Sequence, residues 1–272
     1  YLIVIFSTRT ASATTKRCIN SKSQAILRTN IHTHIHIRTC IHSYIIEIGF
    51  DSDAAIVNTL INVYGMLGSL EDGAQLFKKL HSSDVLSWTT MITTYVQHGY
   101  HEAAIHLFET VDSDDFPAVK ETFLVTLEAY ADLCELAKGE VVYVSIICKG
   151  LDSDPAVATA LVNMYGKCGS ISKAEDVFNF PSQTNIVSWN AMIATYAHNG
   201  HDEEVLKILK QMQLEGISPD SITLVSGLKS CLRMGEIAKG QGIQAEIEGN
   251  GFLESGGLGN ALVDLYVKHG LL

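Results

Sequence analysis

The stretch VLSWTTMITTYVQHGYHEAA at residues 85–104 is restated further along the chain as IVSWNAMIATYAHNGHDEEV at residues 186–205, with Trp189 standing 101 positions after Trp88. Eight of the twenty aligned residues are identical: Ser87/Ser188, Trp88/Trp189, Met91/Met192, Ile92/Ile193, Thr94/Thr195, Tyr95/Tyr196, Gly99/Gly200 and Glu102/Glu203. Chance does not produce such agreement in one register. The chain is a tandem array, and its fold is decided by what one unit can and cannot bury.

The register extends in both directions. AIVNTLINVYGMLGSLEDG at 55–73 aligns with AVATALVNMYGKCGSISKA at 156–174 at the same offset. A third copy, GGLGNALVDLYVKHGLL at 256–272, repeats Leu161, Tyr165 and Gly169 as Leu262, Tyr266 and Gly270, and is expected to be an incomplete unit. Within 186–220, Trp189, Met192, Ile193 and Tyr196 fall at i, i+3, i+4 and i+7, the stripe of a helix that buries one face. Ser188 is placed to cap the first turn and Gly200 to end the helix in a left-handed conformation. A second stripe follows, Val205, Ile208, Leu209 and Met212, closed by Gly216 with Pro219 beyond. Two helices joined by a few residues lie antiparallel, and two short helices cannot dry their apolar faces alone, so neighbouring pairs must stack. The expected fold is all-α, an α-solenoid of antiparallel helix pairs. Glycine punctuation divides the period at 54, 85, 120, 155, 186, 221 and 256, giving units of 31, 35, 35, 31, 35 and 35 residues.

Composition agrees with a folded chain: 47% of the 272 residues are hydrophobic and only four are proline. Six cysteines are scattered without a C-x-x-C pair, which points to a reduced compartment. The apolar run near the start, YLIVIF at 1–6, is far short of the roughly 18 residues of a spanning helix, so no membrane partner is expected. Charge is uneven. Residues 1–46 hold six basic residues and no Asp or Glu, while the remainder carries a net charge of about −17. An acid-free segment rich in Ser, Thr and Arg reads as an organelle transit peptide or, equally, as the disordered or misassigned start of a fragment. Residues 1–40 are therefore set apart as a basic leader and 41–272 assigned to the solenoid. The acidic remainder opposes non-specific nucleic-acid binding, which relies on Lys and Arg neutralising phosphates.

The uneven triplet of lengths, S-W-[NT]-x-M-I at 87–92 and 188–193, L-[IV]-N-[VM]-Y-G at 60–65 and 161–166, and Y-G-K-C-G-S at 165–170 together resemble the pentatricopeptide repeat (PPR) proteins of plants. More narrowly they resemble the subclass with alternating short, standard and long motifs. The resemblance covers roughly residues 40–272; IRTCIHSYIIEIGF at 37–50 is similar to the second helix of a long motif. It implies a TPR/PPR-like superhelix that recognises single-stranded organellar RNA, one base per repeat, in a mitochondrion or plastid, with no catalysis or cofactor of its own and no DNA partner. An RNA-editing or processing protein is the implied protein partner. The physical basis is that an unstacked base offers its Watson–Crick edge to two polar side chains held by a helix pair of fixed rise.

In that family the two side chains are the fifth residue of the first helix and the last residue of the motif. Carried over, the resemblance assigns Asn58 with Asp84 to uracil, Thr159 with Asn185 to adenine and Asn190 with Asp220 to uracil. Thr89 pairs with Val119, which cannot hydrogen-bond through its side chain and departs from the pattern. Leu124 with Asp154 and Val225 with Ser255 are apolar at the fifth position and poor readers, and Asn260 opens the incomplete unit. The implied footprint is 5′-U-x-x-A-U-x-3′. Aspartate is an acceptor suited to the imide N–H of uracil, and Thr and Asn can engage the amino group and ring nitrogen of adenine. Read without the resemblance, the same Asn and Asp residues are polar helix-surface, turn or cap residues.

Other features are assigned no chemistry. His32, His34, His36, Cys40 and His42 are metal-ligand types in one run but lack a second ligand cluster, so no metal site is assigned. Trp88, Trp189, Tyr64, Tyr95, Tyr165, Tyr196 and Tyr266 sit at helical spacing among aliphatics and are expected to pack rather than stack on bases. DSDD at 112–115 and HDEE at 201–204 fall near helix ends, where solvated acids are expected. The H-x-E with C-x-x-C pattern of a zinc deaminase is absent between residues 1 and 272, as are phosphate-binding glycine loops; a catalytic domain in a longer gene product would lie beyond this segment. Two rivals stand beside RNA binding. One is a tetratricopeptide-like scaffold for proteins, favoured by the acidic charge and by A-x-x-x-F at 104–108 and 174–178; the other is a degenerate fragment without function.

Overall fold

A computed structural model describes residues 54–80, 85–111, 118–179, 185–249, 251 and 256–270. The basic leader, the His-rich run at 31–42, the DSDD segment, Asp84 and Ser255 lie outside the described residues. Among the described residues there are thirteen α-helices and no strand: α1 Ala54–Met66, α2 Leu70–Lys79, α3 Val85–Gln97, α4 His101–Val111, α5 Lys120–Asp132, α6 Leu136–Cys148, α7 Pro155–Lys167, α8 Ile171–Phe178, α9 Ile186–His198, α10 Asp202–Leu214, α11 Ser221–Met234, α12 Ile237–Gly249 and α13 Gly256–Lys268. The odd-numbered helices begin 31, 35, 35, 31, 35 and 35 residues apart. The chain divides into two compact units, residues 1–87 and 88–272, each described by itself.

In the first unit, α2 lies against α1. Gly73 has no side chain, and a Cβ there would meet Tyr64 Cβ at 3.7 Å and the Ile61 backbone at 3.8 Å, so the helices approach to ordinary contact. Val57, Leu60, Ile61 and Tyr64 are buried from α1, with Leu76 and Phe77 from α2.

In the second unit the first helices form a continuous layer: α5 packs along α7, α7 along α9, α9 along α11 and α11 along α13. Both stripes read from 186–220 are interior. Trp189, Met192, Ile193, Val205 and Met212 are at most 1% exposed, and Ile208 and Leu209 are buried with them. Trp189 meets Phe178 edge to face with ring centroids 5.0 Å apart, a favourable aromatic geometry. Tyr196 is half-buried at the rim and donates its hydroxyl to Glu175 Oε1 at 2.7 Å. Ala104, Phe108 and Ala174 are also core residues, so the A-x-x-x-F pattern is accounted for by packing.

The helix ends refine the sequence reading. Gly200 closes α9 with φ 76°, as its position required. Ser188, however, is not the N-cap. Asn185 is, its side chain accepting from Val187 N and Ser188 N, while Ser188 Oγ accepts from Asn185 N in a reciprocal capping box. The reason is that α9 starts two residues before Ser188, which places the serine at the third helical position, where it answers the cap.

Close approach within the layer depends on Gly166 of α7. A Cβ there would lie 2.2 Å from Thr195 Oγ1 and 2.9 Å from both Thr195 Cβ and Cγ2. Thr195 is buried, and because its Cβ itself is too near, no rotamer clears the clash. Ala is favoured over Gly in a helix by about 1 kcal/mol, whereas overpacking costs about 1–3 kcal/mol, so the clash decides the sign. Gly166→Ala is expected to lower the thermal midpoint of the chain in calorimetry. An unchanged or raised midpoint would show that α7 and α9 are not held this closely.

Candidate nucleic-acid interface

Each first helix of the second unit carries its fifth residue about one turn in, and the residue before the next first helix is that helix's N-cap. The fifth residue of one unit and the last residue of the same unit therefore come from successive first helices, and side-by-side packing of those helices brings them close. At the α9–α11 junction the result is a closed network. Asn190 Nδ2 donates to Asp220 Oδ2 at 2.9 Å, and Thr223 Oγ1 donates to Asn190 Oδ1 at 2.6 Å. Asp220 Oδ1 accepts from Thr223 N at 2.9 Å, and Asp220 N donates to Thr223 Oγ1 at 3.2 Å, completing a capping box on α11. Partial burial opposes ionisation of Asp220, but the hydrogen bonds from Thr223, Asn190 and Ile222 outweigh it and hold the carboxyl below its ordinary value.

The other assigned positions differ. Thr159 is buried and donates to its own helix at Pro155 O, 2.8 Å away, leaving its lone pairs as acceptors. Asn185 is exposed and occupied with capping α9. Thr89 Oγ1 lies 2.8 Å from Thr122 Oγ1, and Val119 sits at the N-cap of α5 without a side-chain bond, 39% exposed. Leu124 and Val225 are half-buried and pack against the core. Asp154 caps α7 through Ala156 N and Val157 N and is ion-paired with Lys120 at 3.2 Å. Asn260 is exposed on α13. In the first unit, Asn58 is 7% exposed and neither of its amide atoms has a hydrogen-bond partner among the described residues. Asp84 lies outside the described residues. The structure thus brings Asn190 and Asp220 into contact, while Thr159 and Asn185 each bond their own helix.

Two features were not picked out from sequence. Val187 and Ile222, the second residues of α9 and α11, are 58% and 65% exposed beside the capping Asn185 and Asp220. An apolar residue two positions after each cap and off the buried stripe was the available signal. At the opposite end of the first helices, Lys167, His198, Arg233 and Lys268 stand one per helix on α7, α9, α11 and α13. Cations at helix C-termini are favoured by the macrodipole. Lys167 pairs with Asp132, Arg233 Nε lies 2.9 Å from both Asp202 carboxylate oxygens, and Lys268 Nζ donates to Leu232 O. The acids at 201–204 are accordingly structural: Asp202 anchors Arg233 in the first turn of α10.

A layer of first helices, each paired with a second helix and capped by the residue before it, defines a helical-repeat protein. Family comparison makes the class specific: the PPR repeat family pattern matches residues 184–233, and the PPR repeat pattern matches 55–85, 86–116 and 157–180. The chain belongs to the pentatricopeptide repeat family. It is 35% identical over 230 residues to the chloroplastic pentatricopeptide repeat-containing protein At1g15510 of Arabidopsis thaliana, covering 85% of this chain and 26% of that protein. It is 32% identical over 250 residues to the mitochondrial At3g09040 of the same plant, covering 86% of this chain and 24% of the relative. The chain thus spans about a quarter of the length of these relatives. Among solved structures it resembles maize PPR10, with TM-score 0.52 and 16% identity over 86% of this chain and 39% of that one. The same protein in complex with an 18-nt psaJ RNA element matches with TM-score 0.51, over 86% and 43% of the two chains.

Because the folded-state carboxyl of Asp220 is depressed, its stabilising contribution is fully present above its ordinary value of 3.8 and is lost as pH falls through the lower folded value. Asp220→Ala removes both cap and partner and is expected to cost about 1 kcal/mol at neutral pH. Asp220→Asn is expected to flatten the stability profile below pH 3.8. Urea denaturation from neutral to acid pH would measure both, and parallel acid limbs for wild type and Asp220→Asn would contradict the assignment.

Proposed function

We propose that this chain is a sequence-specific single-stranded RNA-binding adaptor of the subclass with alternating short, standard and long motifs, reading one base per repeat in organellar RNA editing or processing. The observation that carries this reading is the contact between Asn190 and Asp220, which puts an amide and a carboxylate from successive first helices within reach of a single nucleobase. Free Asp220 is satisfied by its own neighbours; a uracil imide N–H would take the place of the Asn190 amide at Oδ2, and Asn190 would turn to the base. The exposed Val187 and Ile222 flank that position and offer apolar surfaces to the faces of a base inserted between them. The row Lys167, Arg233 and Lys268 supplies positive charge at the far end of the same helices, about 12 Å along the axis from the fifth residues. That is the local basic character an acidic chain needs if it is to hold a phosphate backbone.

An organellar setting is supported by relatives named chloroplastic and mitochondrial, and the RNA ligand by the structural likeness to maize PPR10 in complex with an 18-nt psaJ RNA element. A protein-binding scaffold is the second reading, favoured by the formal net charge of −11. The A-x-x-x-F pattern no longer supports it, since those residues are consumed by packing.

Filter binding at defined salt with RNA carrying U-x-x-A-U against a scrambled strand tests the proposal. The matched RNA is expected to bind more tightly, and binding no tighter than to a control protein of similar charge would end the RNA reading. Replacing Asn190 by Thr together with Asp220 by Asn, the pair present at 159 and 185, is expected to change the preferred base at that position from U to A. Lys268→Gln is expected to weaken binding equally for all sequences and to reduce the slope of log affinity against log salt by about 0.7. A slope unchanged by that substitution would remove Lys268 from the phosphate row.

A further inference from the structure

The turn after each first helix holds one residue in the left-handed region, and in six of the seven described turns it is glycine: Gly68, Gly99, Gly169, Gly200, Gly235 and Gly270, with φ between 67° and 78°. The exception is Cys134, at φ 54°, the one non-glycine residue with positive φ among the described residues. A β-carbon there costs conformational energy that glycine avoids, and such strain persists where the surroundings hold it or a function retains it. What the strain accompanies is a second thiol. Cys134 Sγ donates to Lys167 O at 3.6 Å, the carbonyl of the peptide bond that leads into Cys168, so the stacked turns set the two cysteines beside each other. The two sit in equivalent turns of successive units, Cys134 after α5 and Cys168 after α7. Cys134 is exposed and Cys168 half-buried; Cys231 is buried in the core.

We propose that Cys134 and Cys168 are a thiol redox site that closes to a reversible disulfide, stapling the α5–α6 turn to the α7–α8 turn, with a low-molecular-weight disulfide such as oxidised glutathione as co-substrate. The exposed Cys134 thiolate attacks one sulfur of the small disulfide, whose S–S bond breaks, and the departing thiolate takes up a proton. Cys168 then loses its proton, attacks Cys134 Sγ in the mixed disulfide and expels the second small thiolate, which is protonated in turn. Two protein thiols are oxidised and one small disulfide is reduced to two thiols. The order follows from access. Burial, reinforced by the neighbouring Cys134, raises the Cys168 thiol and keeps it protonated, so it reacts with a sulfur delivered beside it rather than with one from solvent.

The staple would join the ends of two adjacent first helices next to the Lys167–Asp132 ion pair. It would fix the spacing of the layer at that junction and, on the RNA-binding reading above, the spacing of two neighbouring readers. The site itself does not need that reading.

The test uses the whole 272-residue chain, reduced and then equilibrated with oxidised glutathione, acid-trapped, alkylated and digested without reductant for mass spectrometry. The expected result is one linked peptide pair joining Cys134 to Cys168 with loss of two hydrogens, while the other cysteines remain free. In Cys168→Ser, Cys134 should stop at the glutathione adduct. In Cys134→Gly the linked pair should be lost, Cys168 should stay unmodified, and the reduced protein should melt at a higher temperature because glycine relieves the left-handed turn. A wild-type chain that accumulates glutathione on Cys134 with Cys168 still free would overturn the proposal, as would links joining other cysteines in comparable yield. RNA affinity measured on reduced and oxidised samples bears only on the consequence for reading, so failure of the adaptor proposal and failure of the thiol site are separate results.

Discussion

Side-by-side contact between successive first helices is the constraint on which the second unit depends. A helix pair of this size cannot remove its apolar stripes from water, so the free energy that holds α9 in place comes from α7 on one side and α11 on the other. The contact between α7 and α9 is as close as it is because Gly166 presents only backbone to Thr195. Further along, Gly240 of the second helix α12 leaves similar room for the Leu265 side chain of α13, where a Cβ would come within 2.4 Å of Cδ2. Stability in such an array is a sum of local terms with nearest-neighbour couplings. A change at one junction is therefore felt mainly there, and the interval from one fifth residue to the next is a property of the packing rather than of any loop.

That interval gives the capping residues two roles at once. Asp154, Asn185 and Asp220 each satisfy orphan N–H groups at the start of a first helix, which is a folding function and would suffice to explain their residue types. Asp220 is also the group that the layer delivers beside the fifth residue of the preceding helix, Asn190. At Asp220 the two roles are divided between its oxygens, with Oδ1 holding Thr223 N and Oδ2 holding Asn190. On the proposed RNA-binding reading, only the second contact would be exchanged for a base, and the cap would be kept. Asp154 has no such freedom: Oδ1 caps α7 and Oδ2 is held by Lys120, while its partner position is the apolar Leu124.

How much of this the sequence carried depends on how local each determinant is. Helix identity, the buried stripes around Trp189 and Val205, and the left-handed Gly200 were readable because each is set by spacing within a few residues. The cap at Asn185 was displaced by three residues to Ser188, since a capping box uses two polar residues and the linear pattern does not say which one starts the helix. The Asn190–Asp220 contact came from the family resemblance, not from periodicity, because thirty residues of chain separate the two. Val187 and Ile222 escaped notice as exposed apolar residues because a stripe predicts what is buried and says nothing of apolar residues beside it. The juxtaposition of Cys134 with the Lys167–Cys168 peptide was illegible for a further reason. The spacing of Cys134 and Cys168, one unit less a residue, becomes proximity only after successive turns are stacked, and no rule for adjacent cysteines in sequence covers it.

Charge shows how a global number can mislead about a local surface. Of the acids behind the formal net charge of −11, Glu203, Glu204, Glu236 and Glu248 lie on second helices or the turns before them and Glu121, Glu128, Asp132 and Asp264 on first helices, whereas Lys167, Arg233 and Lys268 gather at the C-terminal ends of first helices. At physiological ionic strength fields decay over about 8 Å, so a strand lying along the first helices responds chiefly to the charges on that face. The acids nearest the row, Asp132 and Asp202, are engaged with Lys167 and Arg233 and orient them while partly neutralising them. On the proposed RNA-binding reading, a row tempered in this way would contribute modest, sequence-independent attraction. On the proposed reading, discrimination would fall to the few pairs that can trade an internal hydrogen bond for one to a base, and among the described pairs Asn190 and Asp220 are the ones the layer holds in direct contact.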